Sequence, residues 1–118
     1  MADTAPASLR FPAARLEAFT AKAFEAVGIS KAEAKSIAEL MVRADLQGSD
    51  GHGVFRLPQY IRRIKGGAVN IKPGIRVERE AAGMALVNGD NGMGHLVMRY
   101  AADKAIEKAR SAEVGGPS

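Results

Sequence analysis

Ile71-Lys72-Pro73-Gly74-Ile75-Arg76-Val77-Glu78 is the point at which a helix-forming chain becomes a strand-forming one. Lys72-Pro73-Gly74 is turn chemistry, because proline presets φ and glycine accepts conformations closed to other residues. Ile75 and Val77 then alternate with Arg76 and Glu78, the period-two pattern of a half-buried strand. Met84-Ala85-Leu86-Val87 reads as a second, more fully buried strand, joined to the first through Ala81-Ala82-Gly83. Asn88-Gly89-Asp90-Asn91-Gly92-Met93-Gly94 is a loop, and a last helix is expected from about His95 to Ala112. Met98, Ala102, Ala105, Ile106 and Ala109 fall on one side of that helix. A lone hairpin is marginal in water, and its unpaired edges ask for further strands.

Upstream, the apolar period is that of helices. Leu16, Phe19, Ala23 and Val27 recur at helical spacing after Pro12, and Gly28 supplies a stop. Ser30 with Glu33 forms a capping-box pair ahead of a second helix, whose expected buried stripe is Ile37, Leu40, Met41 and Ala44. A third helix is expected from about Val54 to Lys65, since Leu57, Ile61 and Ile64 share a face and Pro58 is tolerated in a first turn. The fold class that follows is α+β. Residues 1–8 read as a flexible tail, 9–72 as an orthogonal bundle of three helices, and 73–118 as the first β-hairpin and helix of an incomplete α/β domain.

The chain has 118 residues, 47% hydrophobic, which suffices for one ordinary domain or two small units. Its net charge of +4 comes from 17 basic and 13 acidic side chains dispersed along the chain, the pattern of a solvated surface. With no cysteine, disulfides and thiolate metal sites are excluded. No apolar run is long enough to cross a bilayer, and the first eight residues lack the basic start and apolar stretch of a secretion signal. A cytoplasmic location is the expectation.

Between the second and third helices lies Asp50-Gly51-His52-Gly53-Val54-Phe55-Arg56, a glycine-rich break holding an imidazole and a guanidinium four residues apart. Imidazole can exchange a proton near neutral pH, and guanidinium offers a planar fork that matches a carboxylate. A small organic acid is the ligand those groups suit. Each also admits a structural reading: His52 as a partner for the last carbonyls of a helix, and Arg56 as a surface arginine covering an apolar patch. Asp45 and Asp50 could orient His52, or could simply form turns. A metal site is not expected, because the two histidines are far apart and neither has a carboxylate at ligand spacing. Gly89, Gly92 and Gly94 precede a helix, but their order reverses the dinucleotide fingerprint and reads as a turn and cap.

The segment from Ala44 to Ile61 (A-D-L-Q-G-S-D-G-H-G-V-F-R-L-P-Q-Y-I), with Gly66-Gly67-Ala68-Val69-Asn70 and Val87 to His95, closely resembles the type-2 malate/L-lactate dehydrogenase family. The similarity runs from about Leu9 to Arg110 and implies a fold that is not the Rossmann type. It implies hydride exchange between NAD or NADP and a 2-hydroxy or 2-oxo acid, with His52 catalytic at the reacting oxygen and Arg56 binding the substrate carboxylate. The family carries a serine directly before the histidine, where this chain has Gly51; Ser49 or Asp50 is the expected substitute. Family members are much longer, and their main cofactor contacts lie past this segment, so no cofactor-binding residue is assigned here. The expectation is a fragment inactive alone that forms a homodimer or pairs with a full-length homologue. Two other readings are a small basic helical module presenting Arg62, Arg63 and Lys65 to nucleic acid, and a non-catalytic remnant that associates with a longer homologue.

Overall fold

The structure, a computed structural model, describes residues 12–115, so the tail expected over residues 1–8 lies outside the described residues. Within them are four α-helices and one two-stranded antiparallel sheet, the expected α+β class. Contacts divide the chain into two units between Arg62 and Arg63.

The first unit is built on α1 (Ala13–Ala26) and α2 (Lys31–Leu46), which pack on each other. Ser30 caps α2 as its sequence suggests: Oγ accepts from the Glu33 N–H at 3.3 Å and donates to the Glu33 carboxylate at 3.0 Å. The core is Phe24, Ile29, Ala34, Ile37, Ala38, Met41 and Val42, each at most 3% exposed. Full burial of side chains the size of Phe24, Ile37 and Met41 stabilises by roughly 1.5–3 kcal/mol each. Three expected core positions are corrected. On α1 the buried pair is Thr20 and Phe24, while Phe19 is 63% exposed; Leu40 and Ala44 of α2 are only half-buried. The α1 stripe is displaced because Thr20 can be buried at low cost, its hydroxyl donating to the Leu16 carbonyl at 2.8 Å.

Helices α1 and α2 and α3 (Leu57–Lys65) end alike. Gly28, Gly48 and Gly67 take φ of +103°, +83° and +81°, and the N–H of the next residue reaches back five positions, as in Ser49 to Ala44 at 2.8 Å. Only glycine adopts that φ without strain, so each of these glycines fixes where a helix stops. The expected third helix starts later than its periodicity suggests, because residues Val54–Arg56 form a separate 3₁₀ turn.

In the second unit β1 (Arg76–Ala81) pairs with β2 (Met84–Asn88), and α4 (Gly94–Gly115) packs against β2. A bulge at Glu78 breaks the register between Val77↔Val87 and Arg79↔Leu86. The segment before β1 is tied to the turn before α4: Asp90 Oδ2 accepts from Gly74 N–H at 2.8 Å and from Asn70 Nδ2 at 3.0 Å. Strand β2 is not fully buried as its composition suggests. Ala85 and Val87 are half-buried, but Met84 is 66% and Leu86 53% exposed, because successive side chains point to opposite faces of a two-stranded sheet. The apolar stripe expected on α4 holds in part. Ala105 and Ala109 line, with Ala101 and Lys108, a groove of about 270 Å³ against the hairpin, whereas Met98 and Ile106 are 67% and 51% exposed. Alanines allow the close approach that the longer side chains would block.

Candidate functional site

The site candidates lie on the connection between α2 and α3, within the first unit. Gly48 and Ser49 finish α2, and the chain then makes two consecutive 3₁₀ turns, Asp50–His52 and Val54–Arg56, before Leu57 opens α3. The His52 N–H donates to the Ser49 carbonyl at 2.9 Å, and the Arg56 N–H to the Gly53 carbonyl at 3.0 Å. Leu57, 7% exposed, fixes the far end of the loop.

His52 is exposed and Arg56 half-buried. The Arg56 guanidinium folds back over the loop: Nε donates to the carbonyl of Gly51, and Nη1 donates to Gln59 Oε1 at 3.1 Å. The cation is thus held against the peptide that precedes His52. Nη2 makes no bond among the described residues. Gln59 is a partner of Arg56 that the sequence reading missed, although its spacing of three from Arg56 across a helix start is a readable signal.

Ser49 is exposed, and its backbone N–H and carbonyl serve the helix cap and the first 3₁₀ turn. The Asp50 side chain lies outside the described residues. Asp45 does not orient the His52 ring; its Oδ2 accepts from the Val54 N–H at 3.0 Å. At Gly51 an added Cβ would meet nothing within 4 Å.

At Gly89 a Cβ would lie 2.8 Å from Val97, and at Gly92 2.8 Å from Pro73, so the glycine turn before α4 is filled by the chain's own side chains. Among the described residues no cluster of three or more His, Cys, Asp or Glu could hold a metal, and no helix is long and apolar enough to cross a membrane. Arg62, Arg63 and Lys65 are exposed on α3, which follows two 3₁₀ turns rather than the tight turn of a helix-turn-helix.

The loop sets an exposed imidazole beside a braced guanidinium, and comparison with known proteins gives the class: its relatives are dehydrogenases. The malate/L-lactate dehydrogenase family profile matches residues 11–116, and the chain belongs to that family. It is 39% identical over 107 residues to a malate dehydrogenase of Pyrococcus horikoshii, an alignment covering 91% of this chain and 30% of that protein. It is 41% identical over 88 residues to an L-sulfolactate dehydrogenase of Methanocaldococcus jannaschii, covering 75% and 26%. The solved malate dehydrogenase of Pyrococcus horikoshii superposes with a TM-score of 0.84 at 40% identity, over 87% of this chain and 30% of that one. The chain therefore spans about 30% of the length of the relatives it matches.

Proposed function

We propose that this chain supplies the acid-binding side of the active site of an NAD- or NADP-dependent 2-hydroxy acid dehydrogenase. Arg56 grips the substrate carboxylate end-on through Nη1 and Nη2. His52 holds the proton that leaves the substrate hydroxyl on oxidation, or returns it to the 2-oxo group in the reverse direction. The observation that carries this reading is the bond from Arg56 Nε to the Gly51 carbonyl, which ties the cation to the peptide bearing His52. Its support from relatives is that malate and sulfolactate, for which those dehydrogenases are named, are both 2-hydroxy acids with a carboxylate. The nicotinamide cofactor is held by residues other than those described here, and the chain by itself turns over no substrate.

The test is an NMR titration of the ¹⁵N-labelled chain with L-malate, with its uncharged dimethyl ester as control. Malate is expected to bind weakly, on the order of millimolar, shifting the Arg56 Nε–Hε and His52 ring signals; the ester is expected to shift neither. Equal effects from acid and ester, or no effect at either residue, would reject the site. In parallel, the chain with NAD or NADP and malate should give no absorbance change at the reduced-nicotinamide band.

A second reading, pairing with another copy or with a full-length homologue, is favoured by the exposed Met84 and Leu86 of β2 and by the absence of a further strand beside the hairpin among the described residues. Sedimentation of the pure chain tests it; a monomer at all concentrations, with no uptake by a longer relative, counts against it.

A further inference from the structure

We infer that Asp45 is a positioning residue for the His52–Arg56 loop, and that Gly53 is glycine in order to admit the Asp45 carboxylate. The consequence for substrate rests on the proposed acid site, while the clasp itself does not.

Asp45 sits in the last turn of α2, yet its carboxylate leaves the helix surface to accept the Val54 N–H nine residues on, at 3.0 Å in a partly buried setting. Val54 opens the second 3₁₀ turn, where the backbone N–H groups have no partner within the turn itself, so a fixed anion caps it much as an aspartate caps a helix. Gly53, beside it, is buried between the exposed His52 and the half-buried Val54. A Cβ built on Gly53 would collide with Oδ1 and Cγ of Asp45 and would lie 2.7 Å from its Oδ2. The backbone there, at φ −97° and ψ −155°, is extended and not left-handed, so room for the carboxylate is what calls for glycine.

The loop is consequently held at two points. Asp45 grips the backbone at Val54, between the two candidate residues, and Arg56 grips the carbonyl of Gly51. His52 lies between these two bonds in sequence. Freed of the first, the Val54–Arg56 turn has only local bonds to set its direction, and the guanidinium loses the fixed base from which it reaches back to Gly51.

The experiment compares Asp45→Ala, Asp45→Asn, Gly53→Ala and the double variant Gly53→Ala/Asp45→Ala in the 118-residue chain. Readouts are Val54 amide exchange, the Arg56 Nε–Hε chemical shift, malate binding and the melting temperature. Asp45→Ala should abolish Val54 protection, move the Arg56 signal toward that of free arginine and weaken malate binding about tenfold, the loss typical of one charge-assisted hydrogen bond. Asp45→Asn, which keeps an oxygen acceptor, should recover most of each effect. Gly53→Ala should mimic Asp45→Ala, and the double variant should be no worse than either single, because the collision and the bond share one carboxylate. Additive single effects, or an unmoved Arg56 signal and unchanged Val54 exchange in Asp45→Ala, would overturn the clasp. If the wild-type chain takes up no malate, the acid site fails and the two loop signals decide the clasp alone. If wild type and Asp45→Ala bind malate equally, the positioning role fails while the acid site stands. Should Asp45→Ala not fold, Asp45→Asn and Gly53→Ala decide the clasp by the same readouts.

Discussion

The guanidinium of Arg56 donates through Nε to the carbonyl of Gly51, the residue immediately before His52. That bond uses Nε, while Nη1 donates to Gln59 Oε1. Lysine at 56 would keep the charge but could not brace Gly51 and present two parallel donors at once. Arg56→Lys is therefore expected to weaken malate binding by roughly 10- to 100-fold, the equivalent of about 1.5–3 kcal/mol for hydrogen bonds to a charged group. The melting temperature should move little. Calorimetric or NMR titration of the variant checks it, and retention of wild-type affinity would show that a point charge is enough.

Open space surrounds the Cβ that Gly51 lacks, at the position where the resemblance leads one to expect serine. Its φ is not positive, so a side chain there brings no backbone strain. Gly51→Ser should leave stability within about 0.5 kcal/mol of wild type and set a hydroxyl next to the His52 peptide. Denaturant unfolding measures the first, and a malate-dependent shift at the new serine in the NMR titration reports the second. A large loss of stability would mean that the loop needs glycine at 51 for a reason its open surroundings do not reveal.

Two phenylalanines on α1 give opposite expectations. Phe24 is fully buried, whereas Phe19 is 63% exposed. Phe24→Ala should cost about 3–5 kcal/mol, enough to unfold so small a unit, while Phe19→Ala should fall within about 0.5 kcal/mol of wild type. Urea denaturation followed by helical circular dichroism separates them.

That contrast marks where the sequence stops being legible. Helix ends can be read because each rests on a local device: Ser30 with Glu33, and glycines 28, 48 and 67 at positive φ. The change from helical to strand pattern at Ile71 can be read for the same reason. Which apolar residues lie inside is harder. Phe19 and Phe24 are both apolar but lie on different faces of α1, and the buried face is the one that also carries Thr20, whose hydroxyl donates to the Leu16 carbonyl. On β2, Leu86 reads as core by composition, yet only the tertiary neighbours of a strand decide whether both its faces are covered. At the candidate site the residue types at 52 and 56 are visible, but the Asp45–Gly53 contact is not, because it joins positions eight apart through a loop with no periodicity.

Lys108 joins α4 to the hairpin by donating to Glu80 Oε1 and to the Ala81 carbonyl, each at 2.8 Å. The hydrogen bond from Lys108, and after it the Lys108 charge, hold the Glu80 carboxyl below its ordinary range. A carboxylate whose folded pKa is depressed stabilises the fold fully above its unfolded pKa and loses that contribution as pH falls through the folded value. Glu80→Gln should accordingly lower the melting temperature at neutral pH by a small amount, since Glu80 is half exposed in this pair. The difference between variant and wild type should shrink to nothing in acid, below the folded pKa of Glu80. Raising the salt concentration at neutral pH should shrink it too, by screening an exposed ion pair. Melting curves from about pH 2 to 8, at low and high salt, carry the test; a gap between the two proteins that persists unchanged in acid would mean that Glu80 acts through packing and not through its charge.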